Sequence, residues 1–298
     1  MRWFPWLLLL TGVMPLEAAL RDIREVPSDL AVPPLTEAVA GPGLRVRETH
    51  PDWRGTEVHH VLYLPANWTP DRRWPVLVEF AGNGPYRNNL GDVSTGRVEG
   101  SRLGYGLSGG RDHIWLCLPY LDGSGRTNVT QWWGTRPRHD PGPTLRHTRA
   151  VIDDVCRRFA GDTNRLVLCG FSRGAIACNY LGLHNDEIAR LWRAFMPYSH
   201  YDGVRTSWPY PGADRESALK RLQRLAGRPQ FICGEANNAF QTRAWLEATG
   251  IRGDFTFVGT GFRNHDDAWI LRPSPARDQA RRWLRRVLEA PDPASPKP

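Results

Sequence analysis

The chain has 298 residues, 41% of them hydrophobic, enough to bury one sizeable core within a single large domain. Its formal charge of +8 comes from arginines scattered through every segment, without the block of like charges that marks a nucleic-acid-binding arm, so a solvated basic surface and no nucleic-acid partner are expected. Trp (13) and Pro (25) are abundant; core filling accounts for most of the Trp, and aromatic loops around a substrate groove are a natural use for the rest.

Residues 1–19 open with Met1 and Arg2, run apolar from Trp3 to Val13 and reach Pro15 and Ala18-Ala19, the layout of a secretory signal peptide cleaved near Ala19. The apolar run is well short of the roughly 20 residues a spanning helix needs, so a secreted or periplasmic protein with no stable membrane anchor after cleavage is expected. Residues 20–43 are Pro-rich and read as an extended lead-in, 44–290 as the folded domain, and 291–298 (PDPASPKP) as a disordered tail.

Strands are predicted at 57–64, 74–80, 113–118, 165–169, 193–198, 230–233 and 254–258, with helices around 144–160, 174–183, 214–226, 239–249 and 275–289. Short apolar strands alternating with amphipathic helices predict an α/β fold whose mostly parallel sheet is covered on both faces. His59 and His60 are neighbours in a strand, so they face opposite sides and make a poor metal pair. The five Cys lack metal-ligand spacing and read mainly as buried small hydrophobes.

Residues 165–183 carry the chemistry: the strand RLVLC runs into Gly170-Phe171-Ser172-Arg173-Gly174 and then into a helix. G-x-S-x-G in that context is a nucleophile elbow, a tight turn in which the glycines let strand and helix approach closely. Ser172 is the candidate nucleophile, and the N–H of Arg173, at a helix N-terminus, faces developing negative charge. A hydroxyl needs a base, and His265 stands in the loop between the last strand and the last helix.

The acid that should orient the imidazole is harder to place. Gly234-Glu235-Ala236-Asn237 puts an Asn where an Asp is usual, which leaves Asp202, at the end of the preceding strand, as the preferred acid and Glu235 as the alternative. Asp266 and Asp267 read as loop-surface residues. The loop after WPVLVEF, Ala81-Gly82-Asn83-Gly84, supplies Asn83 N–H as the second oxyanion donor. Trp132, Trp133, Tyr201 and Trp208 lie in loops expected to rim Ser172 and are the candidate substrate-binding residues.

On these residues the chain resembles the α/β-hydrolase superfamily over about 57–290, and residues 151–175 (VIDDVCRRFAGDTNRLVLCGFSRGA) resemble secreted polyhydroxybutyrate-depolymerase-like and feruloyl-esterase-like proteins. It departs from them at Asn237 and at Ala81, where many members have His. The resemblance implies an extracellular carboxylic-ester hydrolase with no metal or organic cofactor, acting on an ester substrate such as a carbohydrate, phenolic or polysaccharide-linked ester. A peptidase or acyltransferase would use the same residues, and a noncatalytic secreted binding protein on this scaffold is the alternative of a different class.

Overall fold

A computed structural model describes residues 20–291. The expected signal peptide, and all of the expected tail but Pro291, lie outside the described residues. The central sheet has nine strands: β1 (Leu35–Thr36), β2 (Arg45–Glu48), β3 (His60–Tyr63), β4 (Trp74–Phe80), β5 (Ile114–Leu118), β6 (Gly161–Phe171), β7 (Ala194–Tyr198), β8 (Gly227–Gly234) and β9 (Gly253–Gly259). Their spatial order is β1-β2-β3-β5-β4-β6-β7-β8-β9, with β3 antiparallel to both neighbours and every other pairing parallel.

The helices are α1 (Leu103–Ser108), α2 (Gly142–Phe159), α3 (Arg173–Tyr180), α4 (Asp186–Ala189), α5 (Arg215–Leu222), α6 (Asn238–Thr249) and α7 (Pro275–Glu289). The sheet is apolar along its strands because both faces are covered. Alternation along each strand sorts the side chains: Val76, Val78, Leu166 and Leu168 pack with Val151, Ile176, Leu222 and Leu246 from α2, α3, α5 and α6. Leu77, Val167 and Cys169 face the other way, with Leu103 and Leu107 of α1 and Trp283 and Leu284 of α7. This is the mostly parallel sheet covered on both faces that the element order predicts.

Local detail goes beyond the sequence reading, which did not foresee the short β1, β2 and α4. Helix α1 is missed by periodicity because LGYGLS is short and Gly-rich; the buried Glu79 carboxylate holds its first turn by accepting from the N–H groups of Arg102, Leu103 and Gly104. The lead-in is packed against the domain: Ile23 and Val26 join the core, and Arg21 bridges to Phe262. Asp266 and Asp267 are buried and share the Arg102 guanidinium. All five cysteines are buried and unbridged, and no helix among the described residues is long and apolar enough to cross a membrane.

Register fixes where a site can form. Gly170 of β6 is level with Phe80 of β4 and Pro197 of β7, and Cys233 of β8 is level with Tyr198 and Val258. The strands therefore end together, and the residues just beyond them meet at one edge of the sheet.

Candidate active site

Ser172 sits between β6 and α3 at φ 54, ψ −111, a strained conformation for a residue with a side chain. The flanking glycines permit it: a Cβ on Gly170 would lie 2.3 Å from the Gly174 main chain, and one on Gly174 would lie 1.9 Å from Phe80 O. The Ser172 N–H donates to Tyr198 O at 3.0 Å, tying the turn to β7.

His265 Nε2 lies 3.1 Å from Ser172 Oγ, and His265 Nδ1 lies 2.7 Å from Glu235 Oε1. With the Nδ1 proton directed to the carboxylate, Nε2 is left as an acceptor for the Ser172 hydroxyl. The imidazole packs on the Phe171 ring at 4.7 Å, and the His265 N–H donates to the buried Asp92 Oδ2 at 2.9 Å. Asp92 Oδ1 accepts from Asn264 Nδ2 at 2.7 Å, so one buried carboxylate holds two successive residues of the His loop.

Glu235 Oε1 accepts from Ser199 Oγ at 2.9 Å and Asn238 Nδ2 at 2.7 Å as well as facing His265. Burial pushes this carboxyl up, but the His265 hydrogen bond and charge, with the Ser199 hydroxyl, outweigh it and hold the group below its ordinary value. Glu235 is thus the carboxylate that faces the imidazole. The preference for Asp202 is corrected: its carboxylate turns into the core, where Arg221 donates to both oxygens at 2.7 and 3.1 Å and Tyr210 OH donates at 3.1 Å. Asn237 is exposed at the start of α6.

The aromatic candidates divide. Trp132 touches Trp208 at a ring separation of 5.2 Å, Trp208 lies 5.5 Å from His200, and His200 lies 5.2 Å from His265, a continuous row leading to that imidazole. Trp133 and Tyr201 do not line the site: Trp133 is fully buried and stacked on Tyr180, and Tyr201 is buried with its hydroxyl on Gln230. Sequence reasoning missed Ser199, His200, Asp92 and Tyr86, whose ring lies 5.5 Å from that of His265. Ser199 and His200 carried a usable signal, since they directly follow a parallel strand as Ser172 does. Burial, reinforced by the charge of His265, pulls the His200 imidazole down to about 4, so it is neutral beside His265.

The Asn83 side chain accepts from Trp132 N at 2.8 Å, while the Asn83 and Arg173 N–H groups donate to nothing among the described residues. The arrangement can move a proton from a hydroxyl to an imidazole steadied by a carboxylate, next to two open main-chain donors. No group of His, Cys, Asp and Glu suited to a metal occurs among the described residues. A cavity of about 860 Å³ lies at the opposite edge of the sheet, and three of its arginines are committed: Arg224 to Asp186, Arg286 to Asp254, and Arg228 to the carbonyls of Ala189 and Trp192.

No protein-family model and no curated protein matches the sequence. Solved structures do. An S-formylglutathione hydrolase from Agrobacterium tumefaciens superposes with a TM-score of 0.53 at 14% identity, over 85% of this chain and 97% of that one. One of two fungal esterases from Rhizomucor miehei gives 0.52 at 12% identity, over 83% and 84%. Porphyromonas gingivalis dipeptidyl peptidase 4 gives 0.50 at 14% identity, over 82% of this chain but 35% of the peptidase. The chain likewise spans only 62% of a thermostable esterase. With the sheet order and the strand-turn-helix at Ser172, the likenesses to the formylglutathione hydrolase, the fungal esterase and the dipeptidyl peptidase show that the chain has the α/β-hydrolase fold.

Proposed function

We propose that the chain is a secreted serine hydrolase that cleaves carboxylic esters through an acyl-enzyme intermediate. The observation that carries this reading is the relay of 3.1 Å from Ser172 Oγ to His265 Nε2 and 2.7 Å from His265 Nδ1 to Glu235. Ser172 Oγ attacks the ester carbonyl as its proton passes to His265, and the Asn83 and Arg173 N–H groups receive the oxyanion. The imidazolium, steadied by Glu235, protonates the departing alcohol; water then attacks the acyl carbon as its proton passes to His265, and that proton returns to Ser172 Oγ as the C–Oγ bond breaks and the acid leaves.

The row Trp132, Trp208 and His200 beside His265 supports an acyl or alcohol group with a ring, a sugar or a phenolic acid, including one linked to a polysaccharide. The resemblance of residues 151–175 to feruloyl-esterase-like proteins points the same way, and that to polyhydroxybutyrate-depolymerase-like proteins to a polymeric ester. The test is hydrolysis of p-nitrophenyl acetate, methyl ferulate, acetylated xylan and a dipeptide p-nitroanilide by wild type and Ser172→Ala. Ester turnover abolished by the substitution is expected; turnover of the anilide alone would replace an esterase with a peptidase, and turnover unchanged in Ser172→Ala would refute the nucleophile. Export is tested by N-terminal sequencing of protein recovered outside the cytoplasm, where a start at or near Leu20 is expected.

A further inference from the structure

Arg173 follows the nucleophile, yet its side chain is only 1% exposed. Among the described residues its guanidinium meets no carboxylate. It donates instead to four main-chain carbonyls: Nε to Ala81 at 3.4 Å, Nη1 to Trp132 at 2.7 Å, and Nη2 to Gly82 at 2.8 Å and Gly96 at 3.1 Å. It also lies 3.7 Å over the ring of Tyr120, whose hydroxyl donates to Ala81 O at 3.0 Å. Burial pulls its pKa down to about 10, against the pull of Tyr120, so it remains a cation at neutral pH. A buried cation without an anion is costly and needs a reason.

The bond to Gly82 supplies one. The Gly82–Asn83 peptide is trans and planar, so its C=O and N–H point in opposite directions. With the Gly82 oxygen held by the guanidinium, the Asn83 N–H is turned away from Arg173's side chain. The Asn83 side chain, fastened to Trp132 N at 2.8 Å, blocks rotation from the other side. A charge-assisted bond to the carbonyl also polarises that peptide and strengthens its N–H as a donor.

We propose that Arg173 is the positioning residue of the oxyanion site, giving one donor from its main chain and aiming the other, Asn83 N–H, through its guanidinium. This rests on the ester-hydrolase reading above. No other cationic side chain is hydrogen-bonded to Gly82 O among the described residues, and a Lys ammonium, with three donors on a flexible stem, does not reproduce a planar fork spread over four carbonyls.

The experiment compares wild type, Arg173→Lys and Arg173→Met for kcat and KM on p-nitrophenyl acetate, for inhibition by a phenylboronic acid, and for thermal midpoint. The boronate's tetrahedral adduct on Ser172 places an oxygen in the oxyanion site. In Arg173→Met, kcat is expected to fall roughly 100- to 1000-fold with KM within about threefold, and boronate affinity to fall in parallel; Arg173→Lys is expected to lose about tenfold in both. A folded Arg173→Met with wild-type kcat, or a loss of kcat with boronate affinity unchanged, overturns the proposal. If the Met variant does not fold, the Lys variant decides, and wild-type kcat and boronate affinity in it overturn the proposal. A wild type whose Ser172 is not labelled by a fluorophosphonate brings down the hydrolase reading and this proposal together; a labelled wild type indifferent to Arg173 brings down this proposal alone.

Discussion

Glu235 and Asp202 are both buried carboxylates just beyond parallel strands of the same sheet, and each meets a nitrogen at 2.7 Å. Their partners set them apart. Asp202 faces Arg221, a permanent cation, and with Tyr210 forms a closed pair under the loop that carries Trp208. Glu235 faces an imidazole that can gain and lose a proton and whose other nitrogen reaches Ser172. A carboxylate on a fixed charge builds structure, whereas one on a titratable group steadies a charge that comes and goes.

Exchanging each acid for its amide separates the two roles. Glu235→Gln is expected to lower kcat roughly 100- to 10,000-fold with little change in thermal midpoint, because the imidazolium loses its partner. Asp202→Asn is expected to cost about 3 kcal/mol of stability by leaving Arg221 underpaired, with kcat per folded molecule unchanged. Denaturant titration and active-site-normalised kinetics check both, and the opposite pattern would exchange the roles.

A second pair of histidines sharpens the same contrast. His60 and His147 are buried with rings 6.1 Å apart, and no ring nitrogen of either makes a hydrogen bond among the described residues; Glu48 is 3.8 Å from His60, and His50, His59 and Arg158 surround them. Burial pulls both below 6.5 in the folded protein. Below that pH the unfolded chain binds more protons than the folded one, so stability is expected to fall as pH drops from about 6.5 towards 5. The thermal midpoint across that range checks the sign, and His147→Phe is expected to flatten the slope. The smallest effect belongs to the rim: Trp208→Ala should raise KM several-fold for a ring-bearing ester and little for p-nitrophenyl acetate, with kcat kept within about threefold.

The meeting of Ser172 and His265 was legible because both positions are tied to chain order and local context: a strand-glycine-helix turn, and a loop before the last helix. The carboxylate that faces His265 was not. Which way a side chain points after a strand depends on the next few dihedrals, and here Ala236 adopts φ +45 beyond Glu235 while Asp202 is drawn inward by an arginine 19 positions on. Trp133 and Tyr201 were misplaced for a related reason, since aromatic content in a loop does not distinguish a pocket wall from a core plug. Asp92 and the Arg173 guanidinium act through partners far away in sequence, and no local pattern announces them. The strands β3 to β9 were legible because continuous apolar runs are demanded by burial on both faces, whereas the short edge strands β1 and β2, partly exposed and without such a run, were not; Gly-rich α1 was hidden because its packing, not its periodicity, makes it helical.

The central claim is that Ser172 is a nucleophile activated by His265. Treating the wild type, Ser172→Ala and His265→Ala with a fluorophosphonate and mapping the adduct by peptide mass spectrometry tests it most directly. A single adduct on Ser172 in the wild type, absent from Ser172→Ala and strongly slowed in His265→Ala, is the expected result. No adduct in the wild type, an adduct on another residue, or equal labelling without His265 would contradict it.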